Sequence, residues 1–334
     1  MKKILFLVLP IIFLVACNSA PTNAPSTPSA QTAPAISADA ATPLPKQKTD
    51  ASPQPKPKDN PAPNQTLAAP QGGPYTHHIE SATSSDGLNW SRDNRVLIEH
   101  ASVPTVIVTP AGNVRLYYVD ANNRPENVNC AESSDGGKSF QVLNCAITNL
   151  TSQKAVDPSI VLLSDGRYRL YYYAATGNTD THESHFIRSA ISADGIRFTE
   201  EGTVFTYNGL VDPDVFWTGK QWLMYVFSLT DHATVIAKSD DGLKFEYVGP
   251  LGLKDWGTVA PIKLEDGRFR VYAFNQRTQI AFNSFISSDA INWTQESGDR
   301  LTAQAGTQIT DPFVVRLRDG TWKMFYKVDP NPKR

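Results

Sequence analysis

Three carboxylates recur in this chain in one local setting, each directly ahead of a proline that opens an apolar run. They are Asp157 in VDPSIVLLSDGRYRLYYYA, Asp212 in VDPDVFWTGKQWLMYVF and Asp311 in TDPFVVRLRDGTWKMFYK. A further run of the same pattern, TVAPIKLEDGRFRVYAFN, has Ala260 ahead of its proline. Carboxyl groups delivered to one place by equivalent positions of a repeat suit general acid–base chemistry, in which one group takes a proton and another gives one. The copy with alanine removes one such group, so the chemistry left to the others depends on whether another side chain reaches the same spot. Asp214 follows Asp212 by two residues and, on a strand, faces the same way. A purely local role is the alternative for all of these residues, because Asp also satisfies nearby backbone donors in turns.

The elements that must position these groups come from two repeat marks. The first is the apolar strand opening on proline, at Pro104, Pro158, Pro213, Pro261 and Pro312, spaced 54, 55, 48 and 51 residues. Each is followed by a turn and an aromatic-rich strand such as RLYYV or WLMYVF. The second mark is a serine-rich turn closed by an aromatic: SSDGLNW, SSDGGKSF, SADGIRF, SDDGLKF and SSDAINW, with Asp86, Asp135, Asp194, Asp241 and Asp289. Asp-Gly between apolar runs supplies the positive φ that tight β-turns need, and the flanking Val, Ile, Tyr, Phe and Trp favour strands. One repeat therefore holds four strands, and four-stranded units at this period read as propeller blades. The chain ends half a blade after Pro312, and residues 74–100 carry the missing half. The expected fold is thus all-β, a five-bladed β-propeller whose N-terminal strands complete the last, C-terminal blade.

The loops joining second to third strands should open on the same side as the Asp-Pro starts. TGNTDTHESHFIR brings His182, Glu183 and His185, SLTDHATV brings Asp231 and His232, and FNQRTQ brings Arg277. Polar loops on a rigid scaffold commonly carry function. HESH has no recognised zinc spacing, and a solvated loop is the plain alternative. Trp256, just ahead of the Ala260 strand, suits stacking on a ring-shaped ligand and equally suits the core.

The paired DPS-type strands and S-x-DG-x-x-[WF] turns resemble the five-bladed propellers of the arabinanase, β-xylosidase and β-fructosidase type, glycoside hydrolase family 43 in particular. The resemblance covers residues 74–334. SSDGGKSF also fits the Asp box of sialidases, a structural turn, without a clear counterpart of the sialidase arginine set. What the family resemblance implies is hydrolysis of glycosidic bonds at the head of a central funnel. Asp157 matches the general base and Asp212 the group that adjusts pKa and orients the acid. The third blade of the family's set should carry Glu ahead of its proline, and Ala260 stands at that place. Glycoside cleavage uses two carboxyl groups, and loss of acid assistance costs roughly 10²–10⁴-fold in rate. An inverting hydrolase here needs a relocated acid, from Glu183, His182 or Asp214; the alternative is a propeller that binds glycan, or protein, without cleaving it. Asp311, Asp214, His182, His232, Trp256 and Arg277 are the expected ligand contacts. No cofactor is implied, and the resemblance leaves open an ion such as calcium in the central channel.

The ends of the chain add a location. Lys2 and Lys3 precede an apolar run, Ile4 to Val15, too short to span a bilayer comfortably, and LVAC ends it. LVAC resembles a bacterial lipobox, which implies a signal peptide over 1–17 and lipidation of Cys17. Residues 18–73 hold no aromatic residue and half of the 24 prolines, a composition that cannot offset its ordering entropy and reads as an extended, disordered linker. The expected protein is exported and anchored to a bacterial membrane by lipid, with a monomeric propeller over 74–334 meeting carbohydrate. A net charge of -2 gives no sign of a nucleic-acid partner. Cys130 and Cys145 flank an expected hairpin turn, and two cysteines in an exported domain suggest one disulfide.

Overall fold

Strand pairing follows the turn chemistry blade by blade. A computed structural model describes residues 73–122, 125–175 and 185–332; the leader with Cys17, the linker as far as residue 72, His182 and Glu183 lie outside them. In chain order the strands are β1 (His78–Ser84) and β2 (Ser91–Glu99), then β3 (Ala101–Val108), β4 (Val114–Asp120), β5 (Asn127–Ser133) and β6 (Gln141–Val142). β7 (Ala146–Thr148), β8 (Val156–Leu162), β9 (Tyr168–Ala175), β10 (His185–Ser192) and β11 (Arg197–Thr206) follow. Next come β12 (Leu210–Trp217), β13 (Trp222–Ser228), β14 (Ala233–Ser239) and β15 (Glu246–Pro250). The remainder are β16 (Trp256–Lys263), β17 (Phe269–Asn275), β18 (Ala281–Ser287), β19 (Thr294–Gln295), β20 (Leu301–Thr302), β21 (Gln308–Arg316) and β22 (Trp322–Asp329).

These strands form five antiparallel blades of a propeller, four of them opening on β3, β8, β12 and β16. The fifth joins the two ends of the chain, in the order β2-β1-β22-β21. β1 lies against β22 without a register break from His78↔Val328 to Ser84↔Trp322, so the ring closes through backbone hydrogen bonds between the two ends of the domain. Two details depart from four strands per blade. β7 adds a parallel strand outside β11, and the outer strand of the fourth blade is broken into β19 and β20, both on β18. Cys130 and Cys145 are joined as a disulfide, with Cα atoms 5.4 Å apart.

The serine-rich turns tie neighbouring blades together. In the turn at Asp86, the Ser84 hydroxyl accepts from the Gly87 amide and the Asp86 carboxylate accepts from the Leu88 and Asn89 amides. Those amide bonds hold the Asp86 carboxyl well below the usual carboxylate range. A buried tyrosine on the second strand of the preceding blade then donates to each turn: Tyr117 to the Gly195 carbonyl at 2.7 Å, Tyr171 to Gly242 at 2.8 Å, Tyr225 to Ala290 at 2.5 Å and Tyr272 to Gly87 at 2.7 Å. The fifth junction uses Phe325 instead. Its ring lies so near Gly137, in the one turn with an extra glycine, that a Cβ there would meet it at 2.9 Å. The aromatic strands are therefore the contacts between blades, and their tyrosines serve packing.

Candidate functional site

The head of each innermost strand is shaped by a bulge. In the second blade, Val156 pairs with Tyr173 and the next register is Ser159 with Tyr171, so Asp157 and Pro158 sit out of the ladder. The same break falls at Val103-Pro104, Asp212-Pro213 and Asp311-Pro312. Proline lacks the ladder donor and fits such a bulge. The residue ahead of it adopts a left-handed conformation, with φ of 47° at Val103, 53° at Asp157, 51° at Asp212 and 52° at Asp311. Asp tolerates that region better than most residues, whereas Val103 is a β-branched outlier there. The bulge is thus a property of the ring, and three blades use it to present a carboxyl.

The fourth blade keeps the break and shifts the proline. Gly257 pairs with Phe274 and the next register is Ala260 with Tyr272, so the bulge residues are Thr258 and Val259. Pro261 lies two positions further along, paired with Val271. Ala260 is therefore the counterpart of Ser159 and Asp214, not of Asp157. Aligning the repeats on their prolines misplaces it, and in the true register the blade still supplies no carboxyl at its bulge.

Asp157, Asp212 and Asp311 come together around the axis with a fourth group, Lys327 on β22. Lys327 Nζ lies 2.6 Å from Asp311 Oδ2, whose residue is 4% exposed. Burial works against the ammonium, but the charges of Asp311, Asp212 and Asp157 outweigh it and raise its pKa. Asp157 and Asp212 keep a partial opening to solvent while protein crowds their carboxyls. Burial, reinforced by the Asp311 charge, pushes Asp157 up to about 7, against the pull of Lys327 and of a hydrogen bond from the Asp212 amide. Burial raises Asp212 well above the carboxylate range, with Asp157 and Asp311 adding to it. Asp214 is also raised well above that range by burial, with a weak 3.5 Å bond from the Ser159 hydroxyl opposing. An axial cavity of about 20 Å³ is lined by Asp212, Asp214 and Asp311 together with Val103, the four bulge prolines, Ala260 and Phe313. That is room for about one water.

At the rim, His77 Nε2 is 3.6 Å from Asp329 Oδ2, and burial with the nearby Lys327 charge lowers His77 to about 4. Sequence reasoning missed both His77 and Lys327. Of the other expected contacts within the described residues, none lines the axial cavity. Trp256 packs edge-on against Phe285, centroids 5.2 Å apart. Arg277 pairs with Asp255 at 2.8 Å on the surface, and His232 is exposed in a left-handed turn beside Asp231. His185 is buried, its Nδ1 3.1 Å from the Leu210 carbonyl and its ring against Tyr173. The donor set does not fit the channel ion that the resemblance leaves open, because the Lys327 ammonium already sits on the Asp311 carboxylate. Among the described residues no group of three or more His, Cys, Asp and Glu is arranged to hold a metal.

No protein-family model matches the chain, and no curated protein matches it. Solved structures do. An endo-1,4-beta-xylanase from Bacteroides thetaiotaomicron superposes with a TM-score of 0.53 at 17% identity, over 68% of this chain and 84% of that one. An alpha-L-arabinofuranosidase from Clostridium thermocellum gives 0.50 at 17%, over 66% and 80%. The native arabinanase from Bacillus subtilis gives 0.50 at 12%, over 70% and 94%. This chain is similar to these five-bladed propellers in fold.

Proposed function

We propose that this protein is a glycoside hydrolase-like propeller acting on carbohydrate outside the cytoplasmic membrane. The observation that carries the reading is the pairing of Asp157 with Asp212 at the head of the axis. Burial raises both carboxyls, Asp157 to about 7 and Asp212 well above the carboxylate range, and carboxyls perturbed together in one place are what acid–base catalysis uses. Asp157 is the general base: it takes a proton from water as the water oxygen bonds to the anomeric carbon. The bond from that carbon to the leaving oxygen breaks, and a protonated carboxyl returns a proton to that oxygen. With no carboxyl at the fourth bulge, Asp214, which burial raises well above the carboxylate range, is the candidate for the acid, and Asp212 orients the exchange. Glu183 and His182, outside the described residues, remain candidates.

A second reading is favoured by the fourth blade itself. Thr258 and Val259 at its bulge leave the family's acid position empty of acid, which suits a propeller that binds glycan without cleaving it. Activated aryl glycosides separate the two, since their leaving groups need little protonation. Turnover that disappears in Asp157→Ala supports the hydrolase; saturable glycan binding without turnover supports the second reading. The location rests on Lys2, Lys3, the apolar run and LVAC, and we propose that Cys17 carries lipid and that residues 18–73 tether the propeller.

A further inference from the structure

Oxygen-bearing side chains just beyond the bulges bond from blade to blade around the axis. The first residue to re-enter the ladder is Thr105, Ser159, Asp214, Ala260 and Phe313 in blades one to five. The residue after it is Val106, Ile160, Val215, Pro261 and Val314. The Thr105 hydroxyl accepts from the Ile160 amide at 3.4 Å, and the Ser159 hydroxyl accepts from the Val215 amide at 2.9 Å. Both bonds run from one blade to the same position of the next, so the amide placed to serve Asp214 is that of residue 261. Residue 261 is proline, which has no N–H to give.

Sheet pairing alone does not ask for a proline there. Pro261 pairs with Val271 on one side only, at the inner edge of its blade, where proline is tolerated. The other four blades keep their proline in the bulge. An amide at 261 would favour the ionised form of the Asp214 carboxyl, as charge-assisted bonds to carboxylates do. Instead Asp214 is buried with one bond among the described residues, from the Ser159 hydroxyl at 3.5 Å. Burial holds its pKa well above the carboxylate range, with that bond opposing. The titratable groups that face it are Tyr225, its ladder partner on β13, and Asp212 and Asp311, which line the same cavity. β8 and β16 face it with Ser159, Ala260 and Pro261, none of which titrates.

We propose that Pro261 is a positioning residue for Asp214: moving the proline out of the fourth bulge deletes the amide that would hold the Asp214 carboxylate, and leaves Asp214 a protonated carboxyl beside the axial cavity. Pro261 touches no substrate and acts only through Asp214. The proposal deepens the hydrolase reading and rests on it for the use of the proton, which Asp214 gives to the leaving oxygen.

Infrared difference spectra of the full chain read that proton without any turnover. The protonated-carboxyl band present in the wild type and lost in Asp214→Asn belongs to Asp214. It is expected to persist at about pH 7.5, where an ordinary aspartate has lost its proton. In Pro261→Ala, which restores the amide, the band is expected to titrate away with a dissociation constant at least about tenfold larger than in the wild type. Pro261→Gly restores the same amide and is expected to do the same. Absence of the band from the wild type at that pH would overturn the proposal, as would an unchanged titration in either variant that folds. Unfolding of both variants would also overturn it, because the proline would then be there for structure. Should the wild type turn over no aryl glycoside while the band behaves as expected, the hydrolase reading fails and the role of Pro261 stands.

Discussion

Asp157→Asn replaces a carboxyl by a neutral group of the same shape, and its effect on stability depends on pH in a direction the structure fixes. The folded-state value is raised, from 3.8 to about 7. The carboxyl therefore favours folding when protonated, an advantage fully present below about pH 4 and lost as pH rises through about 7. At 1.36 kcal/mol per pKa unit the full span is about 4 kcal/mol. The neighbouring Asp212 shares the burden, so about 1–3 kcal/mol is the expected observable gain for the variant at pH 8, which is roughly 2–10 °C in Tm for a domain of this size. Near pH 4.5 the variant should sit close to the wild type. Comparing the two chains at each pH cancels the opposite trend of His77, which is held neutral in the fold and favours folding as pH rises from about 4. Thermal unfolding followed by circular dichroism between pH 4.5 and 8.5 reads the difference directly. A Tm difference that stays constant across that range would refute the assignment of Asp157 as a crowded, near-neutral carboxyl.

Tyr171→Phe removes the donor to the Gly242 carbonyl at a blade junction and leaves a buried acceptor unpaired, so denaturant unfolding should show a loss of about 1–3 kcal/mol. Replacing Cys145 by Ser opens a crosslink spanning 15 residues, and chain entropy puts the loss at about 3 kcal/mol, seen as an equal drop on adding reductant to the wild type. Cys17→Ala should abolish incorporation of labelled palmitate and release the protein from membranes, whereas retained label would remove the lipobox reading.

The ring was legible because its turns are written in residues with special backbone needs. Asp-Gly pairs and serine-headed turns fixed the period, and the half-repeats at the two ends of the domain fixed the closure that β1 and β22 make. Register inside a bulge was less legible. Proline marks the bulge in four blades but sits two residues beyond it in the fourth, so Ala260 aligned with Asp157 by sequence and with Ser159 by hydrogen bonding. Lys327 carried a signal that went unused: stacking the five aromatic strands puts a lysine where the others have Val119, Tyr173, Phe227 and Phe274. His77 had none, since it precedes its strand and reaches the axis only through ring closure. His232, Trp256 and Arg277 were chosen because their loops open on the funnel side. Loop membership gives the side of a ring but not the distance from its axis, and none of these residues lines the axial cavity.

The central claim is that the axial carboxyls act on glycosides, and the most direct measurement is kcat/KM on aryl arabinosides, xylosides, galactosides and fructosides for the wild type and Asp157→Ala. The account predicts turnover of at least one substrate, rising with pH through about 7 as Asp157 ionises and lost in the variant by roughly 10²-fold or more. Turnover that is unchanged in Asp157→Ala, or none on any substrate from a wild type that binds no glycan, would contradict it.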